Sequence, residues 1–124
     1  KLQFRDLNTF IHPNMIHKTD VHYIKRFKDT ELKQKQFKKI IDEIKKNNFL
    51  TICTPFDEKS VDLLETLNVE IIKIASCSFT DWPLLEKVVR KNKPIIASTA
   101  GATEQQIDKV VTFFKNRDKD AGGR

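Results

Sequence analysis

The chain has 124 residues and a mass of 14.5 kDa, which is the length of one domain and enough to bury a hydrophobic core. Its residues are 39% hydrophobic and 32% charged, which excludes disordered and fibrous proteins, and no apolar run approaches the roughly twenty residues of a membrane span. The net charge of +6 raises nucleic acid as a partner, but the lysine-rich segment 33–46 is amphipathic, which predicts a solvated helix surface and no nucleic-acid partner.

The first 28 residues carry the weakest pattern in the chain. Residues 1–4 are typical of the body of a strand, whereas residues 5–28 have no strong period, so we predict a loop over the top of a sheet. His12, His17 and His22 lie in this segment at a spacing that fits neither a helix face nor a usual ligand pair. We therefore expect loop residues rather than metal ligands.

Helical and strand patterns alternate over residues 29–120, and residues 121–124 are left as a tail. Apolar residues at helical spacing predict four helices, which begin near residues 29, 57, 80 and 103. Short apolar runs between them predict strands over 49–53, 70–75 and 94–98. This order is typical of an α/β protein with a parallel sheet.

The α/β units have a nearly constant length. Their strands end at Thr54, Ser76 and Ser98, which are 22 residues apart, and such regular units favour a barrel over a doubly wound sheet. The chain is about half as long as a (β/α)8 barrel and stops where another strand is due. We therefore predict that residues 1–124 are one incomplete TIM-barrel domain from a longer protein.

Lys73 is the most informative residue of the chain. It lies within the apolar run 69–75, which is typical of a strand buried on both faces. An unpaired ammonium group in such a place costs several kcal/mol, so it requires an anion. That anion is either a carboxylate on a neighbouring strand or a bound ligand.

Polar side chains recur at the carboxyl ends of the predicted strands, where ligands bind in parallel α/β folds. The residues in these positions are Lys1, Gln3, Thr54, Lys73, Ser76 and Ser98. Two cations and several hydroxyls at one edge predict a site for a small, multiply charged anion, such as a phosphate or a phosphorylated carboxylate.

These residues also form a series of motifs: Lys1-x-Gln3, Thr54-Pro55-Phe56-Asp57, Lys73-Ile74-Ala75-Ser76, and Ser98-Thr99 followed by Ala-Gly-Ala-Thr. In this order and spacing they resemble the N-acetylneuraminate (sialic acid) synthase family across essentially the whole chain. The resemblance implies a TIM barrel of which this chain supplies about strands 2 to 5. It implies a cytoplasmic transferase of nonulosonic acid biosynthesis, which forms homodimers and condenses phosphoenolpyruvate with an N-acylated amino sugar, releasing phosphate and a nine-carbon α-keto acid.

The same resemblance implies roles for individual residues. Lys1, Thr54, Lys73, Ser76 and Ser98 match positions that hold the phosphate and carboxylate of phosphoenolpyruvate, and Lys73 with Gln3 would be catalytic. The family also implies a divalent metal, manganese or magnesium, whose ligands are absent from this chain.

The chain departs from the family pattern on the sugar side of the site. Ser78 stands where many members have a glutamate, so Ser78 and Asp81 are the candidates for contact with the sugar. Because the metal ligands and the first catalytic carboxylate are missing, we expect the isolated chain to be inactive. The alternative is a non-catalytic anion-binding or assembly module of α/β fold.

The two cysteines are Cys53 and Cys77, and their spacing is not that of a metal site. We expect free thiols in a reducing compartment, which agrees with a cytoplasmic location. Neither cysteine has a neighbour in the sequence that would activate a catalytic thiol.

Overall fold

The computed structural model describes residues 1–18 and 20–118. The four strands are β1 (Leu2–Phe4), β2 (Ile52–Pro55), β3 (Ile71–Ile74) and β4 (Ile95–Ala97). The six helices are α1 (Leu7–Phe10), α2 (His22–Asp29), α3 (Gln34–Lys46), α4 (Glu58–Thr66), α5 (Trp82–Val89) and α6 (Glu104–Asp118). Short 3-10 helices cover Pro13–Met15 and Ser76–Ser78. The predicted tail, 121–124, lies outside the described residues, as do residues 119 and 120.

The four strands form one parallel sheet in the order β1-β2-β3-β4. Each strand therefore lies beside the next one in the sequence, with a helix in every crossover. A doubly wound sheet would reverse this order at a switch point, whereas an unbroken order is that of an arc of a barrel. The predicted α/β class and partial TIM barrel are thus confirmed.

The main core lies between one face of this sheet and the helices. Ile72 and Ile74 of β3 are completely buried there, together with Val61 of α4 and Leu85 of α5. Because side chains alternate along a strand, Lys73, between these isoleucines, belongs to the other face of the sheet, which is the concave face in an arc of a barrel.

Asparagines end three of the helices in the left-handed conformation. Asn48, Asn68 and Asn92 have φ angles of 60°, 52° and 48°, and each directly precedes the segment that leads to the next strand. Asparagine tolerates this conformation better than most residues, and it stops a helix sharply. The helix-to-strand turns therefore repeat with the units, as the constant spacing of the strand ends predicts.

The loop predicted over residues 5–28 was wrong in part, because the segment contains α1, a 3-10 helix and most of α2. Leu7, Ile11 and Ile24 form a small second core inside it. These helices are short, so each shows too few turns for a clear apolar period. The helix predicted to begin near residue 29 instead begins at Gln34, where the Lys33 N–H donates to the Gln36 side chain at 2.7 Å.

The second strand begins later than its apolar run. Phe49 and Leu50 were predicted to belong to it, but they are 69% and 67% exposed and precede β2. The backbone N–H and hydroxyl of Thr51 donate to the Glu70 carboxylate at 2.7 and 2.9 Å, so parallel pairing starts only at Ile52. The other predicted strands and helices match the observed ones within a few residues at each end.

Candidate functional site

Lys73 lies on the concave face of the sheet. Its neighbours in β3, Ile72 and Ile74, point into the main core, so the Lys73 side chain points away from the helices. The apolar sequence predicted that both faces of this strand are buried, but only one of them is. Lys73 is half-buried on a face that water and small molecules can reach.

The strand register brings three predicted site residues into one row across this face. Gln3 pairs with Thr54. Cys53 pairs with Ile72, so the next residues, Thr54 and Lys73, lie side by side on the opposite face. A glutamine, a threonine and a lysine therefore occupy three successive strands at the same height.

The Lys73 ammonium group has no carboxylate partner among the ion pairs of residues 1–18 and 20–118. Its Nζ donates to the backbone oxygen of Ile74 at 2.6 Å. Burial lowers the pKa of Lys73, and the positive charge of Lys1 lowers it further. Lys1 precedes Leu2, which packs against the main core, so alternation along the chain assigns Lys1 to the same face as Lys73. Of the two anions that the sequence left open, the neighbouring carboxylate is therefore absent from the described residues.

Two predicted serines lie just beyond strand ends. Ser76 is exposed and opens the 3-10 helix that follows β3. Ser98 follows β4, and its backbone N–H donates to the oxygen of Ile74 at 3.0 Å. Gly101 has a φ of 80° in the turn closed by the Ala102 N–H and the Thr99 oxygen at 2.9 Å, a conformation that suits glycine and leads the chain into α6.

The candidates for the sugar side are engaged by the protein itself. Asp81 caps α5, since its Oδ1 accepts a hydrogen bond from the Leu84 N–H at 3.2 Å. Ser78 is buried, and its Oγ lies 3.9 Å from the Sγ of Cys77. A role for either residue in binding sugar stays a prediction.

Asp57, the last residue of the Thr54–Asp57 motif, has a structural role. Its carboxylate accepts hydrogen bonds from the N–H and hydroxyl of Ser60, at 2.8 and 2.7 Å, and so caps α4. It also accepts the Asp6 N–H at 2.8 Å, which fixes the segment after β1 to the start of α4. Asp57 is 7% exposed, and both of its carboxylate oxygens accept hydrogen bonds from the protein. The carboxylate therefore stabilises the fold and is not one of the charged groups on the concave face.

Arg5 is the site residue that sequence reasoning missed. Its guanidinium lies 3.9 Å from the ring centre of Phe56, 4.6 Å from that of Phe27 and 5.8 Å from that of Phe10. Its Nη2 donates to the Oε1 of Gln3 at 3.1 Å. The signal in the sequence was the alternation of Lys1, Gln3 and Arg5, which places three polar residues on one face of an extended segment.

Burial lowers the pKa of Arg5, and the charge of Arg26 lowers it further, while Cys77 and Asp57 act in the opposite direction. An arginine nevertheless stays charged at neutral pH because its ordinary pKa is so high. Arg5 thus adds a third cation near the row of Gln3, Thr54 and Lys73.

The implied divalent metal does not fit these residues. Among the residues that the structure describes, no group of three or more His, Cys, Asp and Glu side chains is arranged so that it could hold a metal ion. The concave face offers ammonium, guanidinium and hydroxyl groups, which suit an anion and would repel a metal cation. His12, His17 and His22 do not form a ligand cluster with each other or with described carboxylates.

The cysteines are both free. Cys53 is buried on the core side of β2, and this burial raises the pKa of its thiol to about 12, so the thiol is inert. Cys77 is exposed after β3. No helix in the described part of the chain is both long and apolar enough to cross a membrane.

Comparisons with known proteins agree with the motifs. The model of the NeuB family matches residues 1–121. The N,N'-diacetyllegionaminic acid synthase of Campylobacter jejuni is 40% identical over 84 residues, which are 68% of this chain and 25% of that protein.

Solved structures agree as well. A candidate spore coat polysaccharide biosynthesis protein E from Chromobacterium violaceum is 57% identical, with a TM-score of 0.89 over 93% of this chain and 34% of its own. The N-acetylneuraminic acid synthetase of Leptospira borgpetersenii is 27% identical, with a TM-score of 0.80 over 94% of this chain and 39% of its own. The chain thus spans a quarter to two fifths of the length of these relatives. The resemblance seen in the motifs is confirmed, and the chain belongs to the NeuB family.

Proposed function

We propose that this chain forms the phosphoenolpyruvate-binding part of a synthase that condenses phosphoenolpyruvate with an N-acylated amino sugar. The product would be a nine-carbon α-keto acid, with release of phosphate. The observation that carries the proposal is the Lys73 ammonium group, which has no carboxylate partner among the described residues and lies on the concave face within reach of the charge of Lys1. A substrate with a phosphate and a carboxylate supplies the missing negative charge.

In this proposal Lys1, Thr54, Lys73, Ser76 and Ser98 bind the phosphate and carboxylate of phosphoenolpyruvate. Gln3 and Lys73 are the catalytic residues, because a positive charge and an amide donor can stabilise the negative charge that moves through the substrate during the reaction. The names of the Campylobacter and Leptospira relatives indicate amino-sugar acceptors, and Ser78 and Asp81 are the proposed contacts to that acceptor.

The remaining groups of the active site would come from outside this chain. The described residues do not provide a metal site, so the proposed manganese or magnesium ion would be bound elsewhere in a full-length protein. We further propose a homodimer in the cytoplasm, where the free thiols of Cys53 and Cys77 persist.

The test is phosphate release by the full-length protein that carries this segment, with phosphoenolpyruvate, N-acetylmannosamine and manganese. We expect turnover by the full-length protein, a loss of several orders of magnitude in Lys73→Ala, and no turnover by the isolated chain. Legionaminic and pseudaminic acid precursors are tested in parallel as acceptors. A full-length protein that binds phosphoenolpyruvate but converts it with none of these acceptors would favour the non-catalytic anion-binding module.

A further inference from the structure

Arg5 is held in a cage of aromatic rings at the end of β1. Phe10, Phe27 and Phe56 come from three separate segments, and their ring centres lie 3.9 to 5.8 Å from the guanidinium carbon. The Nε of Arg5 is buried and has no hydrogen-bond partner in the described part of the chain, so these rings take the place of water around it. A guanidinium fixed on several faces has little freedom to move.

The contact of Arg5 with Gln3 determines which way the Gln3 amide faces. A guanidinium carries only donors, so the group that receives its Nη2 hydrogen bond at 3.1 Å must be the carbonyl oxygen of Gln3 and not its NH2 group. The two N–H donors of the amide therefore point away from Arg5. Without Arg5, the amide could rotate and present its oxygen to an anion instead, which would be repulsive.

The position of Gln3 gives this orientation a consequence for binding. Gln3 pairs with Thr54, which lies beside Lys73 on the same face of the sheet. Every polar group of this row can then donate a hydrogen bond to an anion: the amide NH2 of Gln3, the ammonium group of Lys73 and the hydroxyl of Thr54, which is only 2% exposed.

We propose that Arg5 is a positioning residue that holds the Gln3 amide with its NH2 group toward the bound anion. The identity of that anion as phosphoenolpyruvate rests on the proposed function. Arg5 acts through Gln3 and does not itself bind the substrate. The aromatic cage keeps the guanidinium in place when the site is empty, so the amide is oriented before the substrate arrives.

A double-mutant cycle in the full-length protein tests this coupling. Arg5→Met keeps an apolar side chain against the three rings, and Gln3→Ala removes the amide. We expect each single variant to lower kcat/KM for phosphoenolpyruvate roughly tenfold, the size of one lost hydrogen bond to a charged group. If Arg5 acts only through Gln3, the double variant loses no more than either single one.

Two further variants separate orientation from charge and from packing. Arg26→Met removes a cation whose field also reaches Arg5, and we expect no change in kcat/KM. Arg5→Lys can still donate to the Gln3 oxygen and should recover most of the loss. Thermal unfolding of all variants shows whether any effect comes from misfolding.

A crystal structure of the Arg5→Met variant tests the role of Arg5 without a measurement of turnover. We expect the Gln3 amide to leave its place or to adopt more than one orientation. Losses that multiply to about a hundredfold in the double variant, or an unmoved Gln3 amide, would overturn the inference, since Arg5 would then act separately from Gln3. An unsubstituted protein that releases no phosphate refutes the proposed function alone, because the position of the amide is still measured.

Discussion

Replacement of Lys73 by methionine should separate binding from stability. Methionine keeps the length and apolar stem of the lysine but removes its charge. The Lys73 amine makes one hydrogen bond, to the Ile74 oxygen at 2.6 Å, and its charged form is disfavoured by burial and by Lys1. Loss of the hydrogen bond costs about 1 kcal/mol, and relief of the unfavourable charge acts in the opposite direction, so we expect the free energy of unfolding to fall by less than about 1 kcal/mol.

The affinity for phosphoenolpyruvate should respond very differently. Loss of one partner of a close, partly buried charge pair costs about 2 to 4 kcal/mol, which corresponds to a dissociation constant roughly 30 to 700 times larger. Titration calorimetry of the full-length protein measures this change, and urea unfolding of the same samples measures stability.

Lys91→Met is the matched control for charge. Lys91 lies on the helix side of the sheet, and its Nζ contacts Glu65 and Asp62 at 2.6 and 3.1 Å. We expect it to lose up to about 1 kcal/mol of stability, as is usual for surface ion pairs, with unchanged affinity. Lys73 does not bind the anion if Lys73→Met binds phosphoenolpyruvate like the unsubstituted protein, and it has a protein partner if Lys73→Met is destabilised as much as a protein that has lost a buried ion pair.

Three other predictions follow from the same contacts. Because the pKa of Lys73 is lowered from 10.5, the residue loses its charge at a lower pH than an ordinary lysine. The affinity for phosphoenolpyruvate, measured by calorimetry, should therefore fall as pH rises, with an inflection below pH 10.5. An inflection at pH 10.5 or above would contradict this prediction. Asp57→Ala leaves the cap of α4 and the Asp6 N–H without their acceptor and should cost about 2 to 4 kcal/mol in urea unfolding, whereas a cost below about 1 kcal/mol would show that water replaces the carboxylate. Iodoacetamide followed by peptide mapping should label the exposed Cys77 and leave Cys53 unmodified, and equal labelling would show that β2 opens readily.

The sequence predicted the parallel α/β arrangement well because the α/β units repeat and their helix caps are local signals. Asp57 and Asp81 were expected near helix starts and do cap α4 and α5. The sequence correctly placed Lys73 in a strand, but it wrongly predicted burial on both faces, since an apolar run does not reveal that the concave face is open. Which face of the sheet a residue occupies depends on how its strand pairs with the neighbouring strands, and the sequence of one strand does not show that pairing.

The contacts that the sequence could not reveal are those between distant segments. Arg5 was overlooked because Phe10, Phe27 and Phe56 meet around it only after α1, α2 and β2 have folded together. The short helices of residues 5–28 were missed for a related reason. Their stability comes from a small shared core, which includes Leu7 and Ile24, and not from a long amphipathic period.

The charges of the described residues make a final prediction about metal dependence. A divalent cation and an anionic substrate require opposite surroundings, and the concave face here provides Lys1 and Lys73 with no cluster of possible metal ligands among the described residues. Binding of phosphoenolpyruvate to the residues of this chain should therefore be independent of metal, whereas turnover by the full-length protein should require a divalent metal ion. Calorimetry with phosphoenolpyruvate in EDTA and in manganese should give equal affinities. A large loss of affinity in EDTA would mean that the metal, and not these cations, supplies most of the positive charge that holds the substrate.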